Sequence, residues 1–140
     1  MPIQLKPLDV VPDLVKALGR NAKPPVELVG LWGSGKTLIA VQAAKALNAP
    51  LLIVTSGRGD AEAIYDDLCT FVGDDKAALF PAWEVLPSDI MNPADDIVAE
   101  RMNTMKRLAA ALERGTPMCV VMPVRSLLQR VPDPKRLTGD

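Results

Sequence analysis

Eight residues limit what this chain can fold into more than any others: Gly30 to Thr37 read G-L-W-G-S-G-K-T, a full match to the phosphate-binding pattern G-x-x-x-x-G-K-[ST]. The flanks strengthen the match. Val26, Leu28 and Val29 form a short apolar run with β-branched members, the composition of a buried parallel strand, and Leu38, Val41, Ala44 and Leu47 recur after the motif at helical spacing. Strand, glycine loop and helix in that order predict successive backbone N–H groups turned inward around an anion, with Gly30, Gly33 and Gly35 taking conformations that a β-carbon forbids. Lys36 would then set its ammonium against the β and γ phosphates of a nucleotide. Thr37 would offer its hydroxyl to Mg²⁺, at the positive end of the helix. The candidate nucleotide-binding residues are Gly30, Leu31, Trp32, Gly33, Ser34, Gly35, Lys36 and Thr37, and the expected ligands are ATP and Mg²⁺. The bland alternative is a glycine-rich strand-to-helix turn with no ligand.

The rest of the chain alternates in the same way. Val11, Leu14 and Leu18 predict a short leading helix that stops at Gly19. A strand is expected over Leu51 to Val54, then a loop from Thr55 to Asp60 with Asp60 as a helix cap. Ala61, Ile64, Leu68, Phe71 and Val72 mark an amphipathic helix whose outer face carries Asp66 and Asp67. Ala77 to Phe80 is a further apolar run, after which Pro81 to Pro93 is too rich in proline for regular structure. Asp95 and Asp96 suit the start of a helix whose apolar face is read as Val98, Met102, Met105, Ala109 and Leu112, closed by Gly115. Met118 to Met122 is the last strand, and Pro123 to Gln129 one more short helix. Strands alternating with helices imply right-handed crossovers, a mainly parallel sheet covered on both faces, and a ligand at the carboxyl ends of the strands. The expected architecture is α/β, a three-layer P-loop NTPase-like (RecA-like) lobe, incomplete as a fragment. Its divisions are a helical lead-in over 1–25, the lobe over 26–131, and a truncated tail over 132–140 that leads to absent domains.

Composition matters chiefly for what it removes. The chain contains no histidine, which excludes histidine acid–base chemistry, Ser-His-Asp triads and the common zinc sites. A net charge of −1 leaves no basic footprint for nucleic acid. No apolar stretch approaches the roughly 18 residues of a membrane span, and no signal segment opens the chain, so a cytoplasmic location without membrane contact is expected. Cys69 and Cys119 read as small buried hydrophobes rather than disulfide partners.

Several pieces resemble the N-terminal region of the bacterial transcription-repair coupling factors. They are the G-L-W-G-S-G-K-T loop, Leu51-Leu52-Ile53-Val54-Thr55, the segment Phe80-Pro81-Ala82-Trp83-Glu84-Val85-Leu86-Pro87, and the stretch from Val121-Met122-Pro123-Val124 to Arg130. The resemblance runs from about Val10 to Arg130. The B component of excinuclease ABC is similar in layout and shares the G-S-G-K-T loop. The resemblance implies a helicase-like first lobe of an ATP-dependent DNA translocase that recognises stalled RNA polymerase and recruits the excision machinery through the excinuclease A component. In many members of that family the first lobe has a degenerate loop and does not hydrolyse ATP, whereas Gly35, Lys36 and Thr37 are all present here. Helicase-like lobes often contact the DNA backbone from the loop after the second strand, which makes Arg58 the nucleic-acid candidate. Two other readings stay open: a fragment of the excinuclease B component, and a non-catalytic partner-docking lobe with a vestigial loop.

Hydrolysis also needs an acid near Mg²⁺, usually at the end of a buried strand. No apolar run here ends in Asp or Glu. The 140 residues are therefore expected to bind a nucleotide weakly without turning it over. Trp83 is read as packing its proline-rich loop, Met102 and Met105 as core filling, and Arg101, Lys106, Arg107 and Arg114 as a solvated helix face.

Overall fold

The computed structural model describes residues 9–19, 25–83 and 95–133. Most of the proline-rich segment, the ends of the chain and the 20–24 link lie outside the described residues. Within them the elements run α1 (Val10–Leu18), α2 (Gly35–Leu47), β1 (Leu51–Thr55), α3 (Arg58–Val72), β2 (Ala77–Leu79), α4 (Asp95–Glu113), β3 (Cys119–Pro123) and α5 (Val124–Leu127).

The three strands form one parallel sheet in the order β1-β3-β2. Leu51 pairs with Cys119 on one side of β3, and Ala77 with Cys119 on the other. Side chains alternate across the sheet, so the two faces carry different cores. On one face, Ala77 and Val121 meet Ala61, Ile64, Leu68 and Val72 of α3 and Val41 of α2. On the other, Ala78, Phe80, Met118, Val120 and Met122 meet Met105, Leu108 and Ala111 of α4. Helices thus lie against both faces, with α4 covering its face over β2 and β3, and the α/β expectation holds in its coarse form. The α3 stripe read from the sequence is the one that packs.

Three expectations change. The run Val26 to Val29 is not a strand: residues 25–29 are irregular, and Val26, Leu28 and Val29 are all exposed. An apolar run becomes a strand only when a neighbour satisfies its N–H and C=O groups, and among the described residues none pairs with it. Next, the buried stripe of α4 is rotated from the one predicted. Ile97, Arg101 and Thr104 are buried, while Val98 and Leu112 are exposed. Finally, Arg101 and Arg107 do not belong to a solvated face, for a reason that lies in β2.

β2 is an edge strand, and α4 closes that edge. Phe80 N–H donates to Val121 and Cys119 N–H donates to Lys76, so even-numbered carbonyls and amides of this segment face β3 and the odd-numbered ones face away. Those outward carbonyls are met in turn by α4: Ala77 by Arg107 Nη2 at 2.8 Å, Leu79 by Thr104 Oγ1 at 2.9 Å, and Pro81 by Arg101 Nη1 at 2.6 Å. Three donors spaced three residues apart on a helix serve three acceptors spaced two apart on a strand. A sheet edge that would otherwise recruit another strand is filled by side chains.

Candidate phosphate-binding site

α2 begins at Gly35, directly after the glycine loop, and its first turn holds no acidic residue. Gly30 and Gly33 adopt φ of 77° and 53°, the left-handed region where a β-carbon is disfavoured. Gly35 does not: it is the first helical residue, and an added β-carbon there meets nothing within 4 Å. The expectation that all three glycines are conformationally required therefore holds for two. A turn closed by Gly35 N–H on the Trp32 carbonyl at 3.1 Å brings the chain into the helix. Leu31 packs into the small cluster of Leu14, Val15, Ile39 and Ala43 that joins α1 to α2, whereas Trp32 is 89% exposed.

Beside the loop lies a cleft of about 310 Å³, lined by Lys36, Thr37 and Ala40 of α2, by Ile53 to Ser56 at the carboxyl end of β1, and by Asp60 and Ile64 of α3. The volume sits at the lower end of the roughly 300–1,000 Å³ of small-molecule sites. The cleft brings together an ammonium, three hydroxyls and a carboxylate. Asp60 does not cap α3, as the sequence suggested, since Gly57 occupies the cap position; Asp60 instead accepts from the Ser56 hydroxyl at 2.8 Å. Thr55 is held by donating to the Gly57 carbonyl at 2.8 Å.

Asp67 is the residue that sequence reasoning misplaced. It does not face outward beside Asp66 but is half-buried against α2, where Oδ1 accepts from Ser34 Oγ at 2.7 Å and Oδ2 accepts from Thr37 Oγ1 at 3.2 Å. A signal was present: Asp67 lies three residues after the buried Ile64 and one before the buried Leu68, at the flank of the apolar stripe. Thr37 itself is 1% exposed. Among the described residues no cluster of three His, Cys, Asp or Glu side chains could hold a metal by itself. The donors at the loop are hydroxyl and carboxylate oxygens, which fits a hard cation bound jointly with phosphate oxygens.

Arg58 is the first residue of α3 rather than part of the preceding loop, and its Nε pairs with Glu62 Oε1 at 2.7 Å on an exposed surface. Trp83 packs as expected. The Arg101 guanidinium lies 4.2 Å from the Phe80 ring centre and 4.9 Å from that of Trp83, while Gln129 Oε1 accepts from Trp83 N–H at 2.7 Å. Burial pushes the Arg101 pKa down from the usual arginine range. Cys69 and Cys119 are free thiols, and burial raises the pKa of each. No helix of the described residues is long and apolar enough to cross a membrane.

No protein-family model matches the chain. The transcription-repair-coupling factor of Mycobacterium tuberculosis is 35% identical to it over 121 residues, which cover 84% of this chain and 10% of that protein. The one from Bacillus subtilis is 26% identical over 128 residues, 91% of this chain and again 10% of the relative. UvrABC system protein B of Mycoplasma mobile is 30% identical over 73 residues, 52% of this chain and 11% of its own length. The chain thus spans about a tenth of the length of the curated relatives that it matches.

Proposed function

The chain is a relative of the transcription-repair-coupling factors, and from that premise we propose that residues 26–131 form their nucleotide-binding first lobe, within a DNA translocase that displaces stalled RNA polymerase and recruits excision repair. ATP is the proposed ligand; DNA, RNA polymerase and the excinuclease A component are the proposed partners of the larger protein. The coupling factors fit better than the excinuclease B component because their similarity extends over 72–91% of the chain rather than 52%.

The observation that carries the nucleotide reading is local: Lys36 and Thr37, the last two residues of the motif, line one cleft with the carboxyl end of β1. That is where an open parallel sheet places its ligands. The loop and Lys36 would hold the phosphates, and Thr37 would hold Mg²⁺, which would neutralise phosphate charge. Among the described residues no strand ends in an acid, so binding without turnover remains the expected behaviour of these 140 residues.

Thermal unfolding with and without Mg-ATP tests the reading. A ligand at 100 times its Kd should stabilise the wild-type chain by about 2.7 kcal/mol, and Lys36→Ala should abolish the gain. An unchanged unfolding temperature in the wild type would reject nucleotide binding. Steady phosphate release that requires Lys36 would reject the non-catalytic part. If Arg58 meets a nucleic-acid phosphate, it must do so in competition with Glu62, its partner in the ion pair.

A further inference from the structure

The geometry points to Asp67 as the acid that orients the Thr37 hydroxyl toward a nucleotide-bound divalent cation, supplied from helix α3 instead of from a strand end; this rests on the nucleotide-binding reading above. We infer it from three features of the pair. The first is the direction of the hydrogen bond. Thr37 Oγ1 donates its proton to Asp67 Oδ2 at 3.2 Å, which fixes the hydroxyl rotor and leaves the oxygen lone pairs directed away from the carboxylate, available to a cation.

The second is charge. Asp67 is half-buried, makes no ion pair among the described residues, and is met by two neutral hydroxyls. A carboxylate so placed favours a cation nearby, and its oxygens suit a hard one.

The third is what Asp67 leaves alone. A carboxylate serving only to cap α2 would accept backbone N–H groups of the first turn. Asp67 accepts from side-chain hydroxyls instead, so among the described residues it takes up no backbone N–H of the loop; the Gly35 N–H is held separately, by the Trp32 carbonyl. Asp67 is thus a positioning residue, acting through Thr37, and Ser34 steadies its other oxygen.

Binding of mant-ADP, followed by fluorescence anisotropy in Mg²⁺ and in EDTA, separates this role from a structural one. In the wild type Mg²⁺ should tighten binding. Asp67→Asn keeps the shape and one acceptor, so it should retain the EDTA affinity and lose about 10- to 100-fold of the affinity gained with Mg²⁺, the usual effect of losing a partner that orients a metal ligand. If Asp67→Asn keeps the full gain, or tightens binding equally with and without Mg²⁺, the carboxylate merely ties α3 to the loop and the inference fails alone. If the wild type binds no mant-ADP, the nucleotide reading fails and takes the inference with it. A readout without substitution guards against a variant that does not fold. Mn²⁺ should broaden the NMR signals of both Thr37 and Asp67 only when ADP is present, and broadening that spares Asp67 would overturn the assignment.

Discussion

Within the motif, the two kinds of glycine predict opposite outcomes. Gly33 sits at φ 53°, where an L side chain is strained by roughly 1–2 kcal/mol whatever the space around it, so Gly33→Ala should destabilise the chain by about that much. Gly35 is helical with open space at its β-carbon position, so Gly35→Ala should be neutral or stabilise by up to ~1 kcal/mol. Urea unfolding of both variants without nucleotide checks this pair, and equal losses would refute the distinction. The motif was legible in the sequence as a fixed pattern of residue types, in which the backbone favours glycine at Gly30 and Gly33 but not at Gly35. Asp67 was less so: helical periodicity ranks positions by hydrophobicity, and a carboxylate at the edge of an apolar stripe reads as surface until the neighbouring helix is in place. Arg101 shows the same blindness more strongly. It is 4% exposed, and among the described residues one of its Nη atoms and Trp83 Nε1 are buried without hydrogen-bond partners. Its stacking on Phe80 and Trp83 offsets part of that cost.

For whole elements, apolar spacing located the helices and three of the four expected strands, but set the buried stripe of α4 off by a residue, so that of the predicted positions Met105 packs in the core while Val98 and Leu112 stay exposed. The rule assumes that a helix buries what is apolar. α4 also buries what can donate to an edge strand, and Arg101, Thr104 and Arg107 occupy that stripe because the carbonyls of Ala77, Leu79 and Pro81 need partners. The consequence is measurable. Thr104→Val preserves volume and strands the Leu79 carbonyl, so it should cost about 1–3 kcal/mol. Leu112→Glu changes the face predicted from the sequence, but Leu112 is 63% exposed, and the cost should stay within about 0.5 kcal/mol. Should the Leu112 variant prove the more damaging in chemical denaturation, the orientation of α4 would be wrong. The run Val26 to Val29 makes the complementary point: its composition suits a strand, yet pairing is a property of the neighbour, which no local pattern encodes.

Across the molecule, protection of the sheet is uneven. The β2 edge is closed by α4, whereas among the described residues no strand pairs with the outer edge of β1. The face of β1 that carries Leu52 and Val54 is also bare, with exposures of 55% and 44%. An unpaired parallel edge flanked by apolar side chains is a template for association. The 140-residue chain should therefore self-associate as its concentration rises, through β1. Leu52 is the position to test, because it lies on the edge strand without lining the Lys36 cleft, so a change there leaves the phosphate site intact. Leu52→Lys places a charge on the open edge, and sedimentation should show a larger monomer fraction at the same concentration, with an unfolding free energy within about 0.5 kcal/mol of wild type. Identical sedimentation of the two chains would mean that the β1 edge is not the sticking surface, and association, if present, would have to be sought at another exposed apolar group such as Leu127 and Leu128 of the α5 end.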